Sequence, residues 1–348
     1  MGWDKQDDGY TTTIALPRTA DELSVFARGL STSGDVSIIQ DERLHDTDKV
    51  HIDVVAKHMT YLYLDVFAVC ILEKKTGHRG VGIFTPTQWS SRAARPRFEF
   101  DVTIRLPKVP DSHPLHIPSF ETHLPNFSHH VGDLLGHVNF DRLSLYGSNS
   151  HIYARSVNAT QGVFNTSNAH IRGQFESHGE LTLKTSNADI EADVTMYNHN
   201  ADVPSNVHLT SSNAYINSTV NLPSGYAFTV TTTTSNGRIA LDVPSLAADA
   251  RLMLTAETSN TPAEVRVTNA FEGTFDVRTS GAKAIVRHAP ATDPTGRGRR
   301  RTHQESGSVS HVKGSVQWLG EHVEAIPSSN SEGSVVVRTR NAPATLYL

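Results

Sequence analysis

A single cysteine, Cys70, stands among the 348 residues. The chain therefore forms no internal disulfide and holds no cysteine-based zinc or redox centre. No apolar stretch approaches the length needed to span a bilayer, and the longest, Val66 to Leu72, reads as a buried strand. Residues Met1 to Asp8 are polar and acidic with no signal-peptide core behind them, and Gln6 stands where myristoylation wants Ser or Thr. These absences predict a cytoplasmic protein without a membrane span. A surplus of charge of one sign is missing too. The formal net charge of -5, from 31 Lys and Arg against 36 Asp and Glu, supplies no broad basic field, so no nucleic-acid partner is expected. Phosphate loop, dinucleotide fingerprint, nucleophile elbow and zinc-protease motifs are all lacking. No cofactor and no metal are expected, and the familiar enzyme classes lose their signatures.

What the chain has is repetition. A hydrophobic content of 37% with 19% charged residues suits a folded protein. Segments running Leu143 to Ile152, Val163 to Ile171, Leu181 to Ile190 and Val207 to Ile216 each carry Ser-Asn followed three residues later by Ile. Val230 to Ile239 and Leu254 to Val265 continue the series; weaker copies run Phe275 to Ile285, with Gly281 for Asn, and Val335 to Leu346, with Arg340-Asn341. The asparagines at 149, 168, 187, 213, 236 and 260 are 19, 19, 26, 23 and 24 residues apart, which suits one short-stranded coil per repeat. Within each unit apolar and polar residues alternate, the period of a strand with one buried face, and helical periodicity is almost absent. The fold expected is all-β: a right-handed parallel β-solenoid, β-helix-like, with an N-terminal β-rich cap. Asparagine at a fixed place tolerates turn conformations and can bond its equivalents above and below, so an internal Asn ladder is expected.

The organisation expected is an N-terminal cap or irregular first coils over residues 1–100, the solenoid over 101–348, and a disordered insertion at about 291–314. The insertion is rich in Gly, Ser and Arg, and Arg299, Arg300 and Arg301 read as a solvated charge run with anion binding as the sharper alternative. The repeated Thr-Ser-Asn-Ala-x-Ile, the lead-in Phe100 to Pro107 and the late Phe271 to Ser280 resemble the putative-adhesin β-solenoids of bacteria and their fungal relatives. The resemblance covers about 100–348. It implies a surface-binding role and supplies no catalytic residues.

Strand alternation lets the repeats be read as columns. Ile152, Ile171, Ile190, Ile216 and Ile239 form the inward column, so their neighbours point outward. One outward column reads His151, His170, Asp189, Tyr215, Arg238; the other reads Tyr153, Arg172, Glu191, Asn217 and Ala240. Tyr153, Arg172, Tyr215, Asn217 and Arg238 are the candidate ligand contacts, for a carbohydrate, small molecule or protein partner. His151, His170, Asp189 and Glu191 are the candidate catalytic set for the alternative, an acid/base enzyme on a β-helix scaffold such as a polysaccharide lyase or hydrolase, or a cyclase or isomerase. A carboxylate beside an imidazole in this strip is expected to raise the imidazole's pKa. Histidines 113, 116, 123, 129, 130 and 137 have irregular spacings and read as loop and surface residues. Whether the chain is an enzyme, and its oligomeric state, stay open at this level.

Overall fold

The computed structural model describes residues 3–6, 9–44, 47–57, 65–88, 97–109, 113–320 and 333–348. Among these, every regular element is a strand, and no helix is long and apolar enough to cross a membrane. The chain forms two compact units, Met1–Phe175 and Glu176–Leu348.

The first unit opens with β1 (Asp4–Gln6), β2 (Gly9–Pro17), β3 (Glu22–Arg28), β4 (Thr32–Asp41) and β5 (Lys49–Lys57). It continues with β6 (Ala68–Glu73), β7 (His78–Phe84), β8 (Phe98–Pro107), β9 (Leu115–His123), β10 (Phe127–Asp133), β11 (Val138–Tyr146) and β12 (Ile152–Asn165). Two parallel ladders organise it. One runs β8, β4, β10, β12, and the other β7, β3, β9, β11, β12. The strand pair β3/β4 thus lies between β7/β8 and β9/β10, out of sequence order. Strands β1, β2 and β5 pair antiparallel in a series that ends on β8, and β6 pairs antiparallel with β7.

After β13 (Ile171–Ser177), the second unit contains β14 (Glu180–Lys184), β15 (Ile190–Tyr197), β16 (Ser205–Thr210), β17 (Ile216–Ser224), β18 (Ala227–Thr233), β19 (Ile239–Leu246), β20 (Arg251–Glu257) and β21 (Ala263–Val267). It closes with β22 (Gly273–Arg278), β23 (Ala284–Arg287), β24 (Arg300–Ser308), β25 (His311–Leu319), β26 (Gly333–Arg338) and β27 (Ala344–Tyr347). Each repeat supplies one strand before its Asn and one after. The strands before it stack in parallel as β14, β16, β18, β20, β26, β22; those after it stack as β15, β17, β19, β21, β27, β23. Here too one pair is out of order, β26/β27 lying between β20/β21 and β22/β23.

Burial follows the alternation. Ile190, Ile216 and Ile239 are aligned in register and fully buried, as are Leu181, Val207 and Val230 on the facing strands. Ile152 and Ile171 are likewise buried in the first unit.

The Ser-Asn pair has a backbone reason. The carbonyl of each serine accepts two N–H groups from the next turn: Ser212 and Asn213 donate to Ser186 at 3.2 and 2.9 Å, and Ser235 and Asn236 to Ser212 at 3.0 Å each. The asparagine side chains join as well. In the second unit the Nδ2 of Asn213, Asn236, Asn260 and Asn341 donates to Oδ1 of Asn187, Asn213, Asn236 and Asn260 at 2.7 to 2.8 Å. In the first unit Asn168 donates to Asn149 and Asn149 to Asn126. These amides are exposed rather than internal. The buried polar group at each turn is a hydroxyl two residues earlier: Ser211, Thr234 and Thr258 donate to the carbonyls of Ala188, Ala214 and Gly237. A hydroxyl needs fewer partners than a carboxamide, so it is the cheaper group to bury. Replacing Asn236 with Ala removes one donor and one acceptor and is expected to cost about 1–2 kcal/mol. A urea midpoint unchanged from wild type would show that these amides do as well in water.

Three further expectations are corrected. Residues 300–319 within and beyond the expected disordered insertion form an antiparallel hairpin, β24 on β25, and β25 pairs with β22. β24 is polar and largely exposed along its length, so apolar alternation is missing from it, whereas β25 buries Val316 and Trp318 on one face. Val66 to Leu72 is not a buried strand: among the described residues β6 pairs with β7 alone, and Ile71 is 52% exposed. His129 is no surface residue, since Phe127, His129 and Val131 are the inward positions of β10. The sequence also reads a strand over the wider span Tyr61 to Glu73, and residues 61–64 of it lie outside the described residues.

Candidate functional site

In the second unit the outward face of β17, β19 and β21 carries a shallow depression of about 210 Å³. Register places Asn217, Ala240 and Glu264 in one row, and Thr219, Asp242 and Arg266 in the next. Arg238, just before β19, completes the site. Glu264 clamps both arginines: Arg238 Nη2 donates to one oxygen at 2.7 Å and Arg266 Nη2 to the other at 2.6 Å. Arg266 also lies over the Tyr347 ring at 4.6 Å. Two exposed ion pairs are worth little to stability. What they do is hold long side chains still, so that guanidinium, carboxamide, carboxylate and hydroxyl groups face a ligand with little ordering left to be done.

Of the predicted ligand contacts, Asn217 and Arg238 meet in this depression. Tyr215 stands one strand from Arg238, its carbonyl accepting from Ile190 N–H and its own N–H donating to Asp189 Oδ1 at 3.2 Å. Asp189 therefore caps a backbone N–H. Glu191 lies on β15 in register with Asn217.

Tyr153, Arg172, His151 and His170 belong to the first unit. His151 stacks on His170 with ring centroids 5.1 Å apart and planes 8° apart, and meets His130 edge-on at 5.1 Å. His130 in turn faces Asp35 at 3.6 Å. Tyr153, in register with His130, is 46% exposed. Burial first, then His130 and His170, push the His151 pKa below the ordinary imidazole value against the weaker opposite pull of Asp35. This reverses the direction expected from a carboxylate-flanked imidazole, because burial dominates and the immediate neighbours of His151 are other histidines.

Two features escaped the sequence reading. His129 is fully buried and held from both sides, with Nε2 at 2.8 Å from the Thr122 hydroxyl and Nδ1 at 3.1 Å from the Phe127 carbonyl. Its N–H goes to the carbonyl, which leaves Nε2 to accept from Thr122. A groove of about 710 Å³ beside the hairpin is lined by Asp276, His311 and Lys313 among others. His311 Nε2 lies 2.9 Å from Asp276 Oδ1, and Arg338 reaches the other oxygen at 3.8 Å. The pair is cross-strand neighbours on β22 and β25, which an insertion read as disordered could not bring together.

No family model matches the chain, and no curated protein matches it. Two solved structures align along nearly its whole length. One, described as a "putative cell adhesion protein" from Clostridium sporogenes, is 9% identical, with 97% of this chain and 99% of that one covered and a TM-score of 0.22. The other, a "putative adhesin" from Parabacteroides merdae, is 13% identical over 97% and 96% of the two chains, with a TM-score of 0.27. At such scores neither neighbour carries a fold or a function over to this chain.

Proposed function

We propose that the chain is a right-handed parallel β-solenoid, laced by an Asn ladder and capped within residues 1–100, that binds a carbohydrate on the outward face of its repeats. The observation that carries the reading is the β17–β19–β21 depression, where Arg238 and Arg266 are fixed by Glu264 beside Asn217, Thr219 and Asp242. Donors and acceptors alternate there on strands about 4.8 Å apart, a spacing that suits the hydroxyls of successive sugar positions. The shallow, polar shape fits an oligosaccharide lying along the surface better than an apolar metabolite, which needs an enclosed pocket.

A glycan array probed with the full chain tests this. Asn217→Ala and Asp242→Asn are expected to weaken the best glycan about 10-fold each, since each removes hydrogen bonds worth about 1–1.5 kcal/mol, while leaving the melting temperature unchanged. An array without a hit, or variants that bind like wild type, would overturn the proposal.

A further inference from the structure

A second cavity, of about 440 Å³, lies between the segment following β23 and the hairpin β24–β25. Arg299, Arg300, Arg301, His288, His303 and Trp318 line it together with the uncharged residues 289–291, and among the described residues no carboxylate does. In a chain of net charge -5 this is a local excess of positive charge.

Strand register explains how it is assembled. Arg301 and Trp318 are directly opposite on the two strands, and both the Arg301 and Arg299 guanidinium groups lie over the indole, at 5.9 and 5.8 Å. The indole is fixed, its Nε1–H donating to the Asn269 carbonyl at 2.9 Å. His303, two residues beyond Arg301 and on the same side of β24, stacks on His288 with centroids 3.9 Å apart. Glu305 steadies His288 from 3.3 Å.

The arginines are not equivalent. Arg299 is neutralised, pairing with Glu272 at 3.0 Å and with Asp293 at 3.1 Å. Glu272's other oxygen is taken by the Trp318 backbone N–H at 3.2 Å. That leaves Arg301, whose Nε and Nη2 are buried with no hydrogen-bond partner among the described residues. Burial lowers the Arg301 pKa against a weaker opposite pull from Glu272, which does not hydrogen-bond it, yet a guanidinium does not give up its proton in a protein. A charged group with orphaned donors, beside a cavity that no described carboxylate lines, is completed by an anion.

We infer that this pocket binds a tetrahedral oxyanion, the phosphate or sulfate group of a small ester, with Arg301 as the main donor and Arg300, His288 and His303 around it. Donors arriving from several directions suit an anion with oxygens on all sides, and the volume leaves room for a small organic portion. The site shares no residue with the β17–β19–β21 depression, so either reading can fail without the other.

Calorimetric titration of the full chain with sodium phosphate, sodium sulfate and sodium acetate at one fixed ionic strength tests the inference. Phosphate or sulfate is expected to saturate one site, with acetate at least 10-fold weaker. Arg301→Gln is expected to weaken phosphate at least 10-fold, and Arg301→Lys less, because it keeps the charge and loses the fork. Arg300→Ala, at an exposed position that cannot disturb folding, is expected to weaken it several-fold. Glucose 6-phosphate binding more tightly than phosphate would identify a sugar ester as the source, and equal binding would identify the free ion. No saturable binding, acetate equal to phosphate, or Arg300 and Arg301 variants that bind like wild type would each overturn the inference.

Discussion

Ile190→Asp is expected to abolish folding of the second unit. Ile190 is completely buried at the start of β15, in register with Ile216, which is itself in register with Ile239. The substitution removes a side chain whose burial contributes about 2–3 kcal/mol, and it places a carboxylate in an aliphatic column with no partner. Together these cost more than about 4 kcal/mol, a large part of the stability of a typical domain. Because neighbouring strands share the column, the damage spreads to the facing repeats. Ile190→Val, which keeps the column apolar, should cost only about 1 kcal/mol. Soluble yield and thermal melts of the two variants decide the matter, and a wild-type melt for the Asp variant would mean that this face is not the core.

Acid is expected to destabilise the chain through His129. Burial holds its pKa down to about 3, against 6.5 for a free imidazole. Below pH 6.5 the unfolded chain takes up a proton that the folded chain refuses, so stability falls as the pH drops from about 6.5 toward 3 and then levels off. The slope approaches about 1.4 kcal/mol per pH unit, for a total of about 4–5 kcal/mol over the window. His129→Gln keeps groups able to bond Thr122 and the Phe127 carbonyl but cannot titrate. Urea denaturation of both proteins at pH 7.5 and 4.5 should show the advantage of wild type over the variant shrinking by roughly 2–3 kcal/mol at the lower pH. A difference that stays constant would mean that His129 is protonated in the folded state.

The repeats were legible because their signal is local: Ser-Asn marks the turn and Ile three residues on marks the inward face, and Ile190, Ile216 and Ile239 are buried as that pattern requires. His129 was legible too, as the middle of the alternating Phe127, His129, Val131, had pattern been weighed above residue type. Asn126 was not, since proline precedes it in place of serine, yet it bonds Asn149 as the repeat asparagines bond one another. What escapes sequence reading altogether is long-range pairing. Ser315 to Trp318 reads as a closing strand and lies within β25, but nothing in the Arg, Ser and Gly composition of β24 records that it pairs with β25, which in turn pairs with β22. The same holds for the candidate sites: Asn217 and Arg238 could be placed on one face from the repeat, whereas the ion pairs that fix Arg238 and Arg266 on Glu264 depend on which outward side chains happen to meet.

Strand pairs standing out of sequence order bear on how the chain is made. A ribosome delivers β22/β23 before β26/β27, but their place in the parallel ladder is reached only through the later pair. Nascent β20 and β21 therefore present an open edge that the next segment to emerge is not built to occupy. Strands β22 to β27 must settle together, after synthesis has passed them all, and growth of the ladder one turn at a time from the amino end stops short of them. In the first unit β3/β4 waits in the same way, its two neighbours both arriving after it. In this protein translation order and stacking order part at these two places and agree through the regular repeats.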